Sequence, residues 1–107
     1  MQLRIRAQLS KNARAAIERR VRLNLGRRAA GIDRALVTLE SVRNGGPVHR
    51  CRIRVRLQQG QRFTIEDHAE DPLTAAGAAA LRLEHRLDRL RAAQAASPLP
   101  GGSARLF

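Results

Sequence analysis

Between Val48 and Leu57 the chain alternates without exception: Val48, Arg50, Arg52, Arg54 and Arg56 take one parity, and His49, Cys51, Ile53, Val55 and Leu57 the other. Successive side chains of a strand point to opposite faces, so the stretch predicts a β-strand with an apolar face inward and four guanidinium groups outward. The arginines of that row stand about 6.5–7 Å apart, two residues of strand rise. Residues 2–8 repeat the pattern, with Leu3, Ile5 and Ala7 against Arg4, Arg6 and Gln8, and predict a first strand. The period then changes. Ala13, Ile17, Val21 and Leu25 recur every four residues, widened by Ala16 and Ala29, which predicts an α-helix over residues 12–29. Ser10 or Asn12 can cap its start, and Gly31 suits its end. Its opposite side carries Arg14, Arg19, Arg22 and Arg27, offset only by Glu18; for Arg19, Arg20, Arg22, Arg27 and Arg28 a plain solvated face and a contact face are equally open readings.

Residues 34–42 are β-prone with apolar side chains on both parities, as in a strand of a sheet interior. Asn44-Gly45-Gly46-Pro47 predicts the turn of a hairpin into the Arg row, and Gln58 to Gln61 around Gly60 predicts a second. A short strand at 61–66 follows, with Phe63 and Ile65 inward and Arg62, Thr64 and Glu66 outward. The acidic stretch to Asp71 reads as a polar loop. Asp71 then caps a second helix that has Pro72 in its first position and runs to about residue 95. Its seam is Leu73, Ala76, Ala80, Leu83, Leu87 and Leu90. From Ser97, prolines and glycines suit a flexible tail, so residues 1–95 are expected to form one domain and 96–107 a tail.

The expected fold is therefore α+β, in the order β-α-β-β-β-α. A right-handed crossover sets strands one and two parallel, and two hairpins add antiparallel strands. The result is a four-stranded mixed sheet with two helices packed on one face and the Arg row on the other. Arg4 and Arg6 join that row if the strand register agrees.

Charge sharpens this picture. The chain carries 21 Lys and Arg against 9 Asp and Glu, a net +12, and the excess lies wholly in residues 1–56. Such a balance points to a nucleic acid or an anionic membrane surface. The chain lacks Trp and Tyr and has only two Phe, so recognition of backbone phosphates and overall shape is favoured over base stacking. Cys51, the only cysteine, falls on the inward parity and is expected to be a buried thiol in a reducing compartment. No apolar run is long enough to span a bilayer, and the N-terminal alternation suits a strand better than a targeting helix, so the chain reads as cytoplasmic.

Catalytic chemistry finds no footing. There is no Gly-x-Ser-x-Gly elbow and no phosphate loop. His68, among Asp67, Glu70 and Asp71, reads as part of a polar loop and not as a metal cluster, and His49 as a strand-end residue. No enzyme activity, cofactor, metal or small-molecule substrate is expected.

The run from Asp71 to Leu90, Asp-Pro-Leu-Thr-Ala-Ala-Gly-Ala-Ala-Ala-Leu-Arg-Leu-Glu-His-Arg-Leu-Asp-Arg-Leu, carries a family signal. It resembles the Asp-Met-Tyr-x-Ala-Ile-x-x-Leu-Ile-x-Lys-Leu-x-Arg-Gln-Leu-x-Lys-Leu pattern of the ribosome hibernation promoting factor family, which includes ribosome-associated inhibitor A. Asp71, Ala75, Leu83, Leu87 and Leu90 match without gaps, and Arg82, His85 and Arg89 fall on the family's basic positions. Pro72 and Leu73 replace the usual Met-Tyr pair, and Gly77 to Ala80 is unusually small. The sequence also ends without the second, dimerising domain of long members, so pairing of ribosomes through such a domain is not expected. The resemblance covers residues 1 to about 93. It implies the same β-α-β-β-β-α fold and binding near the decoding centre of the small ribosomal subunit, where messenger and transfer RNA are blocked.

The expected partner is thus ribosomal RNA of the small subunit, bound by a monomer without a membrane. The residues expected to contact RNA are Arg4, Arg6, Arg22, Arg50, Arg52, Arg54, Arg56, Arg82, His85, Arg86 and Arg89. A stand-alone double-stranded RNA binder and a module for an acidic protein partner are the alternatives.

Overall fold

The computed structural model describes residues 1–42 and 48–96. The elements are β1 (Gln2–Arg6), α1 (Lys11–Leu25), a 3-10 helix (Gly26–Gly31), β2 (Ile32–Ser41), β3 (His49–Leu57), β4 (Arg62–Ala69) and α2 (Pro72–Ala96). The sheet order is β1-β2-β3-β4, with β1 and β2 parallel and the other two pairs antiparallel. This is the expected α+β arrangement. The turn predicted at Asn44–Pro47 and the tail predicted from residue 97 lie outside the described residues.

Local chemistry sets the boundaries. Ser10 accepts the Ala13 N–H at 3.1 Å and so starts α1. The α-helix ends earlier than its apolar period suggests, at Leu25, because Gly26 takes φ 52° and returns its own N–H to the Arg22 carbonyl. The 3-10 helix then carries the chain to β2, so Gly26, and not Gly31, is the glycine that stops α1. Between β3 and β4, Gly60 takes φ 100°, and the Leu57 N–H reaches the Gln61 carbonyl at 2.8 Å.

Two strands depart from their predicted form. β2 carries a bulge at Asp33: Ile32 pairs with Leu57 and Arg34 with the adjacent Arg56, which leaves one extra residue on β2. The bulge resets the alternation, so that Ile32, Ala35, Val37 and Leu39 all face inward. β4 runs three residues further than expected, to Ala69, and takes in His68 and the inward-facing Asp67, so the predicted loop shrinks. The polar inward residue hid the strand's period, and its charge is met by Arg82 at 3.0 Å.

The core lies between the helices and one sheet face. α1 contributes Ile17, Val21 and Leu25, the two central strands Ile32, Val37, Cys51 and Ile53, and α2 Ala75, Ala76, Ala79, Ala80 and Leu83. Burying each larger side chain contributes about 1.5–3 kcal/mol. The α2 seam is wider than predicted because the alanines at 75 and 79 are buried alongside those at 76 and 80. Small side chains bring the helices together. Arg20 of α1 lies over Gly77 of α2, and Arg28 reaches Asp88, so the two helices run side by side in the same direction.

Arg14 is a correction. The sequence places it on the side of α1 opposite the apolar stripe. Instead its guanidinium donates to the Ile5 carbonyl at 2.6 Å and to the Ala7 carbonyl at 2.9 Å, fixing the end of β1 against the helix.

Candidate nucleic-acid interface

The helices cover one face of the sheet, and the pleat turns the arginines of four strands to the other. Register decides what each one meets. Arg50 lies between Glu40 and His68, and Arg52 between Thr38 and Glu66. Arg54 lies between Leu36 and Thr64, and Arg56 between Arg34 and Arg62. On the outer strand Arg4 stands beside Leu36 and Arg6 beside Thr38, so both join the face as the sequence allowed.

The row on β3 is therefore not uniform. Along the strand it meets no acid, but across the strands its first half does. Arg50 donates to Glu40 at 3.0 Å, and Arg52 donates to Glu66 through both Nε and Nη2 at 3.1 Å. Arg50 Nε is buried without an acceptor, 3.9 Å from Glu66. These cross-strand ion pairs offset the repulsion within the row, though exposed pairs of this kind stabilise by only about 0–1 kcal/mol. The second half is nearly free of acid. Arg56 has only Asp33 at 3.7 Å, and Arg54 has no carboxylate partner among the described residues. Together with Arg4, Arg6, Arg34 and Arg62 they line a shallow depression floored by Leu36 and edged by Thr64.

The basic residues expected on the helices are largely engaged. Arg82 is held by Asp67, and the Arg86 guanidinium stands 4.6 Å over the Phe63 ring. Arg22 pairs with Glu18 one turn away on α1. His85 and Arg89 are exposed on α2. Arg28, Asp88 and Glu84 form a small network between the helices, and the Arg28 hydrogen bond holds the Asp88 carboxyl below the usual carboxylate range. Arg19, Arg20, Arg27 and Arg91 are also exposed on the helical side with no carboxylate partner among the described residues, so what sets the sheet apart is the stacking of its arginines across strands and not their number.

Sequence reasoning left Arg34 and Arg62 out of the site. Arg62 already had outward parity in its strand, and that was the available signal. Arg34 shares the outward parity of Thr38 and Glu40, but the apolar Leu36 on that parity blurred the signal. Cys51 is wholly buried, and burial, helped by Asp67, pushes its thiol up to about 12, so it is inert as a nucleophile. At the start of α2, Asp71 accepts the Thr74 N–H at 2.9 Å and the Thr74 hydroxyl at 2.8 Å, and these bonds hold its carboxyl below the ordinary range. That helix end is occupied by a carboxylate and is closed to phosphate. Among the described residues no helix is long and apolar enough to cross a membrane.

No protein-family model and no curated protein sequence matches this chain. Several solved structures share its fold, and two illustrate it. One is the N-terminal domain of Protein Y from Thermus thermophilus, at 25% identity and a TM-score of 0.64, over 85% of this chain and 100% of that one. The other is a ribosomal subunit interface protein from Coxiella burnetii, at 13% identity and a TM-score of 0.63, over 85% of this chain and 96% of that one. The likeness extends over nearly the full length of both of those chains.

Proposed function

We propose that this protein is a ribosome-binding translation inhibitor of the hibernation-factor type. It acts in the cytoplasm as a monomer, with residues 1–95 as the binding domain. It holds ribosomal RNA of the small subunit through arginines and occupies the path of messenger and transfer RNA; no bond is made or broken. The observation that carries this reading is the shared fold with the Thermus Protein Y domain, whose whole length is covered at 25% identity. The arginine-rich, helix-free sheet face supports it, since it offers several guanidinium groups to a polyanion, and Phe63, which borders the depression, keeps its ring on the helix side beneath Arg86. The Asp71–Leu90 pattern points the same way from the sequence.

A protein touching roughly six phosphates loses on the order of a thousandfold in affinity between 50 and 200 mM salt. Cosedimentation with purified small subunits across that range is the test. Protein that stays at the top of the gradient even at low salt overturns the proposal. The alternative of a stand-alone duplex binder predicts equal affinity for plain RNA duplexes and for ribosomes. Asp71, which caps the start of α2, removes one helix end from duplex recognition.

A further inference from the structure

Arg34, Arg56 and Arg62 stand in one file across three strands: Arg34 is the register partner of Arg56, and Arg56 of Arg62. Adjacent strands lie about 4.8 Å apart, and like charges directly opposite one another destabilise a sheet. A single carboxylate, Asp33, serves two of the three, at 3.8 Å from Arg34 and 3.7 Å from Arg56, near the limit of an ion pair. The next file adds Arg4 and Arg54 on either side of Leu36, and Arg6 follows on β1. At the other end of the same face, Glu40 and Glu66 match Arg50 and Arg52 in number and hold them in hydrogen bonds. One half of the face is neutralised; the other is stacked cation against cation.

We infer that the Arg34–Arg56–Arg62 file is the docking track of an RNA phosphodiester backbone, which crosses the strands and does not follow β3. Arg4, Arg6 and Arg54 take the adjoining phosphates, and Arg50 and Arg52 serve the sheet. This rests on the RNA-binding reading above and narrows it to one part of the surface. The track reads backbone and not bases. Gln2, Leu36 and Thr64 are the remaining outward side chains of the depression, while the Phe63 ring lies on the opposite face beneath Arg86. A file of this kind has a signature that a solvated surface lacks: removing its charge improves the free protein and harms the complex.

Two variants test it, Arg34→Gln/Arg56→Gln/Arg62→Gln and Arg50→Gln/Arg52→Gln. Each is measured for thermal unfolding without ligand, for cosedimentation with small subunits, and for binding to poly(U) over a salt series. The file variant should melt higher than wild type. Its log–log salt slope on poly(U) should be shallower by about 2, and its affinity at 100 mM salt lower on the order of a hundredfold. The second variant should melt lower, because Glu40 and Glu66 lose their cations, and should bind both partners within about twofold of wild type. A file variant that binds poly(U) and subunits like wild type overturns the track while leaving the ribosome reading intact, provided the wild type cosediments. A wild type that fails to cosediment, while its poly(U) affinity still falls with the file, overturns the ribosome reading and upholds the track. Equal losses in both variants also overturn the track, since they would mean that the backbone follows β3.

Discussion

At the scale of single residues, carboxylates do as much as arginines to define this protein. Asp71 illustrates how. Its oxygens accept from the Thr74 backbone and hydroxyl, which favours the charged form and holds its carboxyl below the ordinary value. A carboxyl whose folded value is depressed contributes stability that is fully present above the unfolded value of about 3.9, and loses it as pH falls through the folded value. Asp71→Ala should therefore lower the melting temperature at neutral pH, and the gap from wild type should narrow as pH drops below about 4. Melting curves from pH 7 to pH 2 check this. A gap that stays constant down to pH 2 would mean that the charge of Asp71 plays no part in the cap.

At the scale of elements, the helix pair rests on small residues. Gly77 sits inside α2, where glycine costs about 0.5–1 kcal/mol relative to alanine. A Cβ there would approach Arg20 Nη1 to 3.1 Å, the far end of an exposed, flexible side chain that can move aside. Gly77→Ala should therefore stabilise the fold by up to about 1 kcal/mol, read from the midpoint of urea unfolding at unchanged slope. The elements also show what a sequence can and cannot announce. The Arg row, the capped helix at Asp71 and the inward Cys51 were legible because alternation and capping are local. The bulge at Asp33, the true stop of α1 at Gly26 and the inward turn of Arg14 were not, since each depends on what lies opposite in the folded chain. Charge pairing is the same kind of fact. Along β3 the arginines look equivalent, and only the register with Glu40 and Glu66 divides them.

At the scale of the whole molecule, that division follows the long axis of the strands. Glu40, Glu66, Asp67, Glu70 and Asp71 gather where β2 and β4 end and α2 begins, while Arg4, Arg34, Arg54, Arg56 and Arg62 lie further along the strands towards the other end of the sheet face, and Arg6 stands beside Thr38 in the file of Arg52. The described chain is electrically lopsided as well as strongly cationic. A body of this kind experiences a torque in the field of a polyanion, and turns its arginine-rich end forward before any contact forms. Salt should then act mainly on the approach. Stopped-flow measurements of the protein meeting small subunits should show the association rate falling steeply from 50 to 200 mM salt, with a smaller rise in the dissociation rate. The acidic end thus gives the molecule a rear: it lets a large polyanion select the orientation of arrival during diffusion, so that fewer collisions are wasted.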